Sequence, residues 1–142
     1  KAVSKVKGKS VELTGNELFE IQQATQKVLE TSENMAGYYV RIFLANLERL
    51  DPAMLPIVDE HSKVVRTYTK LDEVGNPVRT EAGFEFEDDD KKQKYEAETA
   101  RLFEKTKYEI DFVKMTYDDF DKMPINTAKN NKIFLVLKYL VE

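Results

Sequence analysis

Two runs in which apolar and polar residues alternate, Thr67 to Val74 and Val78 to Phe86, lie either side of Gly75-Asn76-Pro77, with helix-period sequence beyond both. A period of two sends successive side chains to opposite faces, so the pair reads as a β-ribbon. Gly75 accepts positive φ, while Pro77 fixes its own φ and pushes Asn76 towards extended backbone. The turn is therefore not a standard two-residue one. Gly83 marks a bulge ahead of Phe84 and Phe86, whose rings share a face. Two strands alone are marginal in water, so this ribbon must lean on the helices or on a partner. A projecting ribbon serves contact better than chemistry.

The flanking sequence is mainly helical. Residues 1–13 alternate weakly through Val3, Val6, Val11 and Leu13 and read as a basic arm ending in a short strand. Thr14-Gly-Asn-Glu17 matches a capping box, in which hydroxyl and carboxylate each satisfy a free backbone N–H. Leu18, Ile21, Thr25, Val28 and Leu29 follow at helical spacing to about Glu30. Ser32 or Asn34 can cap a second helix through Leu50, whose Tyr38, Tyr39, Val40, Ile42, Phe43, Leu44, Ala45 and Leu47 leave little polar face, so it is expected to be central. Asp51-Pro52 reads as a cap and first-turn proline restarting a helix towards Tyr68, with Pro56 delaying or bending it and Leu55, Val58, Val65 and Tyr68 as its inner stripe.

After the ribbon, Asp88-Asp-Asp90 sits where a helix should begin. Negative charge there is favoured by the helix dipole, by about 0.3–1 kcal/mol per exposed charge. Tyr95, Thr99, Leu102 and Phe103 form that helix's narrow seam, which suits self-association as well as internal packing and leaves a homo-oligomer open. Tyr108, Ile110 and Phe112 alternate as a short strand, and Asp118 to Asp121 suggests one helical turn ended before Pro124. Asn126 or Thr127 can cap a last segment over 128–141, where helix is favoured over core strand. The expected fold is α+β, mainly α: a helical bundle with an inserted β-hairpin and a short additional strand, as one domain over 14–142 behind the arm.

With 142 residues the chain can bury a core without staples. The absence of cysteine excludes a disulfide framework, a thiolate nucleophile and cysteine-ligated zinc. No apolar run approaches the roughly 18 residues a membrane span needs. The lysine-rich start runs into a polar stretch, so no signal peptide is expected. A net charge of −4 argues against a surface built wholly for nucleic acid, but the charge is segregated. Lys1, Lys5, Lys7 and Lys9 carry the arm, and Glu81, Glu85, Glu87, Asp88, Asp89 and Asp90 crowd ten residues near the ribbon.

His61, the single histidine, stands beside Asp59 and Glu60 as a potential base or ligand; the plainer reading is a helix residue at the edge of an apolar face. Glu85, Glu87 and Asp88 to Asp90 offer oxygens to Mg²⁺ or Ca²⁺ but lack the ligand spacing and central glycine of an EF-hand loop. They read as a solvated helix start, as do Asp118, Asp119 and Asp121. Neither metal nor cofactor is expected. Tyr38, Tyr39, Tyr68, Phe84, Phe86 and Tyr95 are placed near the ribbon, as core unless exposed. No Walker loop, dinucleotide fingerprint, nucleophile elbow or kinase set occurs, so catalysis is not expected. The expected contact residues are Arg79, Phe84, Glu85, Phe86, Asp88, Asp89 and Asp90, with the acids steering a basic protein partner. In the alternative, Lys1, Lys5, Lys7 and Lys9 neutralise phosphates in salt-dependent nucleic-acid binding.

The order of elements resembles that of small, uncharacterised tailed-phage proteins. The likeness is carried by Tyr68 to Leu71, Asp72, Glu73, Gly75, Asn76 and Pro77, then Phe84 to Asp90, then Glu109, Ile110 and Asp111. The resemblance supplies no catalytic residues. It implies a phage or mobile-element accessory protein that works by binding, as a minor virion or assembly component or as an inhibitor of a host protein, in the host cytoplasm or the virion.

Overall fold

A computed structural model describes residues 10–31, 35–123 and 138–142. Its organising element is a single helix. α1 (Gly15–Thr31) and α2 (Gly37–Tyr68) pack side by side, and α2, with 32 residues and a length of about 48 Å, runs the length of the fold. β1 (Val11–Thr14) precedes α1. A small ribbon, β2 (Arg79–Thr80) and β3 (Gly83–Phe84), follows α2. α3 (Asp89–Ala100) then returns along α2 and ends in a π-helical turn, Arg101–Lys105. β4 (Lys107–Ile110) and the short α4 (Tyr117–Asp121) follow. The fold is mainly α with two separate antiparallel two-stranded sheets, β1–β4 and β2–β3.

The capping box forms as its residues dictate. Thr14 N donates to Glu17 Oε1 at 2.9 Å, and Glu17 N donates to Thr14 Oγ1 at 3.2 Å. The Thr14 backbone N–H holds the Glu17 carboxyl below its usual range. Its other oxygen accepts from the Tyr139 hydroxyl at 3.1 Å, fastening the C-terminal residues to the start of α1. Leu18, Ile21, Ala24, Thr25 and Val28 form the buried stripe of α1. Gly15 is required by close approach, because a Cβ there would stand 2.9 Å from the Leu102 carbonyl oxygen of the π turn.

β1 pairs with β4 in the register Val11 to Ile110 and Leu13 to Tyr108, so the end of the expected arm belongs to the folded unit. Leu13 and Ile110 are buried and join the main core with Phe112, Met115, Met123, Leu140 and Val141. Val141 bridges Met115 in parallel, through Met115 N to Leu140 O and Glu142 N to Met115 O. Residues 138–140 are helical, while the rest of the segment expected over 128–141, with Asn126, Thr127 and Pro124, lies outside the described residues.

α2 departs from expectation in three ways. Asp51-Pro52 does not restart a helix: both prolines lie inside one continuous α2, and Asp51 accepts from Gln22 Nε2 at 3.3 Å instead of capping. Pro52 and Pro56 are four residues apart on an exposed face, where water can satisfy the carbonyls they leave free. The inner stripe is Ile42, Phe43, Asn46, Leu50, Met54, Ile57, Val64 and Val65. Leu55 and Val58 point outward with Tyr38 and Leu44, so α2 is central without being buried all round. Its N-cap is Ala36, without a side-chain bond, and Ser32 and Asn34 lie outside the described residues.

Asn46 is fully buried, and its amide is spent on one residue of the chain that crosses α2. Its Nδ2 donates to Val113 O at 2.9 Å, and its Oδ1 accepts from Val113 N at 2.7 Å. Asn46→Ala strands both backbone groups and opens a small void. A loss of about 2–4 kcal/mol is expected, read as a lower denaturant midpoint at unchanged slope; Asn46→Asp, which sets a buried carboxylate against the Val113 carbonyl oxygen, should lose at least as much at neutral pH.

Candidate functional site

The ribbon begins where α2 is stopped. Thr69, buried at the helix end, donates from both its N–H and its hydroxyl to Val65 O, and the chain leaves in extended backbone. The alternating run from Thr67 therefore does not make the expected strand, because Thr67 and Tyr68 belong to the last turn of α2. Three short extended pieces interlock instead. Lys70 N donates to Glu85 O, Val78 N to Lys70 O and Glu85 N to Val78 O, all within 3.0 Å. The hairpin proper turns at Glu81-Ala82, pairing Arg79 with Phe84 and Thr80 with Gly83. Gly83 adopts φ +116° as a paired residue rather than as a bulge.

Asp72 organises the loop around Gly75-Asn76-Pro77. Its Oδ1 accepts from Val74 N at 3.0 Å and from Asn76 N at 2.9 Å. Its main chain closes the same loop, with Asp72 N donating to Asn76 O and Gly75 N donating to Asp72 O. Gly75 takes φ +87°, the left-handed backbone the turn requires. The side chains of Leu71 (40% exposed) and Val74 (79% exposed) are left in solvent on a loop with little freedom.

Phe84 and Phe86 do share a face, and that face is turned inward. Both rings meet Tyr95 of α3, at 5.9 and 5.3 Å between centroids. Tyr95 also meets His61 of α2, whose Nε2 lies 3.3 Å from the Tyr95 hydroxyl. His61 stands edge-on to Phe103 at 5.3 Å, and Phe103 packs on Phe19 of α1 at 5.7 Å. A chain of aromatic contacts thus ties the ribbon through two helices to a third. Arg79 lays its guanidinium over the outer side of Phe84, 4.3 Å from the ring centroid. Tyr38 and Tyr39 are not part of this group: they lie towards the other end of α2, about 35 Å along the helix from His61, where the Tyr38 hydroxyl bonds Asp119.

The acidic residues divide by role. Asp88 is the N-cap of α3 and accepts from Lys91 N at 2.9 Å, as its position predicts. Glu87 pairs with Lys91 at 2.6 Å and Asp90 with Lys94 at 3.1 Å, each one helical turn on. These carboxylates raise both ammonium groups above the usual lysine range. Asp89 and Glu81 are exposed, and Glu85 is half-buried against the ribbon. Among the described residues no three His, Asp or Glu side chains gather so as to hold a metal ion, and no helix is long and apolar enough to cross a membrane. Lys1, Lys5, Lys7 and Lys9 lie outside the described residues.

Sequence reasoning placed the acidic helix start and put Phe84 and Phe86 on one face, but counted both rings among the contact residues, whereas they pack on Tyr95, and it missed Leu71 and Val74 as the exposed apolar residues. The signal was present: a valine between Glu73 and Gly75 sits in turn sequence, where polar residues are the rule. It also missed Tyr95 as the residue on which ribbon, α2 and α3 converge. No protein-family model matches this sequence, and no curated protein and no solved structure gives a significant match.

Tyr95→Ala is expected to cost about 2 kcal/mol, less than a fully buried aromatic because the ring is half-exposed. The loss should be local. Amide exchange at Lys70, Val78 and Glu85 should accelerate more than at Val113 and Met115, with Tyr95→Phe near wild type. Burial holds the His61 imidazole below its usual range. Since the unfolded chain binds this proton more readily, the His61 contribution is complete above about pH 6.5 and is lost as the pH falls towards the folded value. His61→Phe should flatten the stability profile between about pH 6.5 and 5.

Proposed function

We propose that this chain is a non-enzymatic, protein-binding accessory of a tailed phage or mobile element, a minor virion or assembly component, and that it binds through the ribbon and the acidic start of α3. The observation that carries this reading is the way the ribbon is mounted. Its phenylalanines are spent on Tyr95, which fixes its position, while Leu71, Val74, Arg79 and the carboxylates of Glu81 and Asp89 remain exposed. A fixed, exposed surface of mixed apolar and acidic character suits recognition of a basic protein surface, with charge speeding encounter and apolar contact slowing release. The sequence adds support, having no cysteine and one histidine, and so does its resemblance to small tailed-phage proteins.

A photo-cross-linking residue at Glu81, used in an extract of the native source, should give one discrete protein adduct. The adduct should fade on Arg79→Glu or Asp89→Lys and should not form from the same group at Lys105, beyond the far end of α3. Adduct formation indifferent to every ribbon change, or turnover of a substrate by the purified chain, would overturn the reading.

A further inference from the structure

The ribbon carries an open hollow of about 690 Å³, walled by Lys70, Leu71, Asp72, Glu73, Val74 and Val78. That volume lies within the range of small-molecule pockets, but such pockets enclose most of their ligand. An open wall of this size suits a few side chains of an extended peptide. Its apolar part is Leu71, Val74 and Val78, with Val74 the most exposed of the large apolar side chains among the described residues. Phe84 and Phe86, the ribbon's larger apolar groups, are already packed on Tyr95.

Two further observations define the occupant. First, the loop is held before any partner arrives. Four hydrogen bonds converge on Asp72, so seating a ligand against Leu71 and Val74 orders little new chain, and binding loses less to entropy. Second, the charge is one-sided. Between Leu71 and Asp90 the chain carries eight carboxylates and one arginine. Within the hollow, Glu73 and the outer oxygen of Asp72 take no bond from the described residues, and Lys70 is the lone cation of the wall. The field selects a cation on the Asp72–Glu73 side.

We propose that this hollow binds a basic peptide segment of a protein partner, with an aliphatic or aromatic side chain against Leu71, Val74 and Val78 and a lysine or arginine beside it on Asp72 and Glu73. The inference rests on the ribbon being the contact surface, and it names the residues that do the recognising and the chemistry they recognise.

The test uses the full chain and a defined probe, a random twelve-residue peptide library displayed on particles, followed by fluorescence polarisation of the enriched peptides as synthetic ligands. Enriched sequences should place lysine or arginine next to an apolar residue. Their affinity should fall roughly tenfold or more on Val74→Ser and on Glu73→Lys, fall with added salt, and stay unchanged on Tyr117→Ser at the other end of the fold. Both ribbon substitutions lie at exposed positions, and unchanged melting temperatures would show the variants folded. Acidic or uncharged consensus sequences, affinities indifferent to Val74→Ser and Glu73→Lys, or no enrichment would each overturn the proposal. Peptides lost on Arg79→Glu or Asp89→Lys but indifferent at Val74 and Glu73 would overturn the hollow and leave the ribbon as the contact surface.

Discussion

The amide of Asn46 sets the register on which the rest of the fold is laid out. α2 runs the length of the fold, and the segment after β4 must cross it at one height. An apolar contact would tolerate sliding by part of a turn. A carboxamide bonded to both the N–H and the C=O of Val113 does not, because either displacement strands buried polar groups at about 1–3 kcal/mol each. Arg49, three residues along α2, adds a second tie by donating to the Asp111 carbonyl at 2.8 Å. With β4 fixed against α2, β1 is fixed by pairing with β4, and α1 by the capping box that closes on Thr14.

From that register the position of the ribbon follows. β4 leads back to the π turn and α3, so the height of Tyr95 along α2 is set by the same geometry that places Val113. Tyr95 arrives opposite His61, and the ribbon phenylalanines close on the remaining face of its ring. The ribbon has only two residues in each paired strand and would not hold its shape in water unaided. It is stable because its aromatic side chains finish a stack that begins in α1.

Terminal signals were the most legible part of the sequence, because a cap is a contract between residues three or four apart. Thr14 with Glu17, Asp88 before α3 and the single turn near Asp118 all form where local chemistry puts them. The continuity of α2 was not legible. Asp51-Pro52 carries the local signature of a helix start, and two interior prolines at about 3 kcal/mol each argue for a break. What overrides them is non-local: Leu50, Met54 and Ile57 continue one buried stripe through the proline region, and the prolines face water. The ribbon was misplaced for the same reason. The helical pattern and the alternation both claim Thr67 and Tyr68, and the alternation is too short to outvote Val64 and Val65, which are buried and carry the helical stripe into its last turn. Asn46, a polar residue in an apolar run, gave no sign of a partner far along the chain.

The candidate surface differs from the sequence expectation in a way that exposes a general ambiguity of ribbons. Alternation shows that Phe84 and Phe86 share a face but not which way the face is turned. Once α3 supplies Tyr95, the larger rings are drawn in, since burying an aromatic is worth more than burying a valine. The smaller residues Leu71 and Val74 are left on the outer side of the Asp72 loop, among carboxylates that repel one another. Two of those carboxylates, Glu87 and Asp90, pair with lysines one turn into α3; Glu73, Glu81 and Asp89 form no ion pair among the described residues. Val74 is therefore exposed on a loop closed by four hydrogen bonds, beside carboxylates that take no bond from the described residues. The proposed contact with a basic partner rests on that juxtaposition, because an apolar group and a cation side by side would meet both of its features at once.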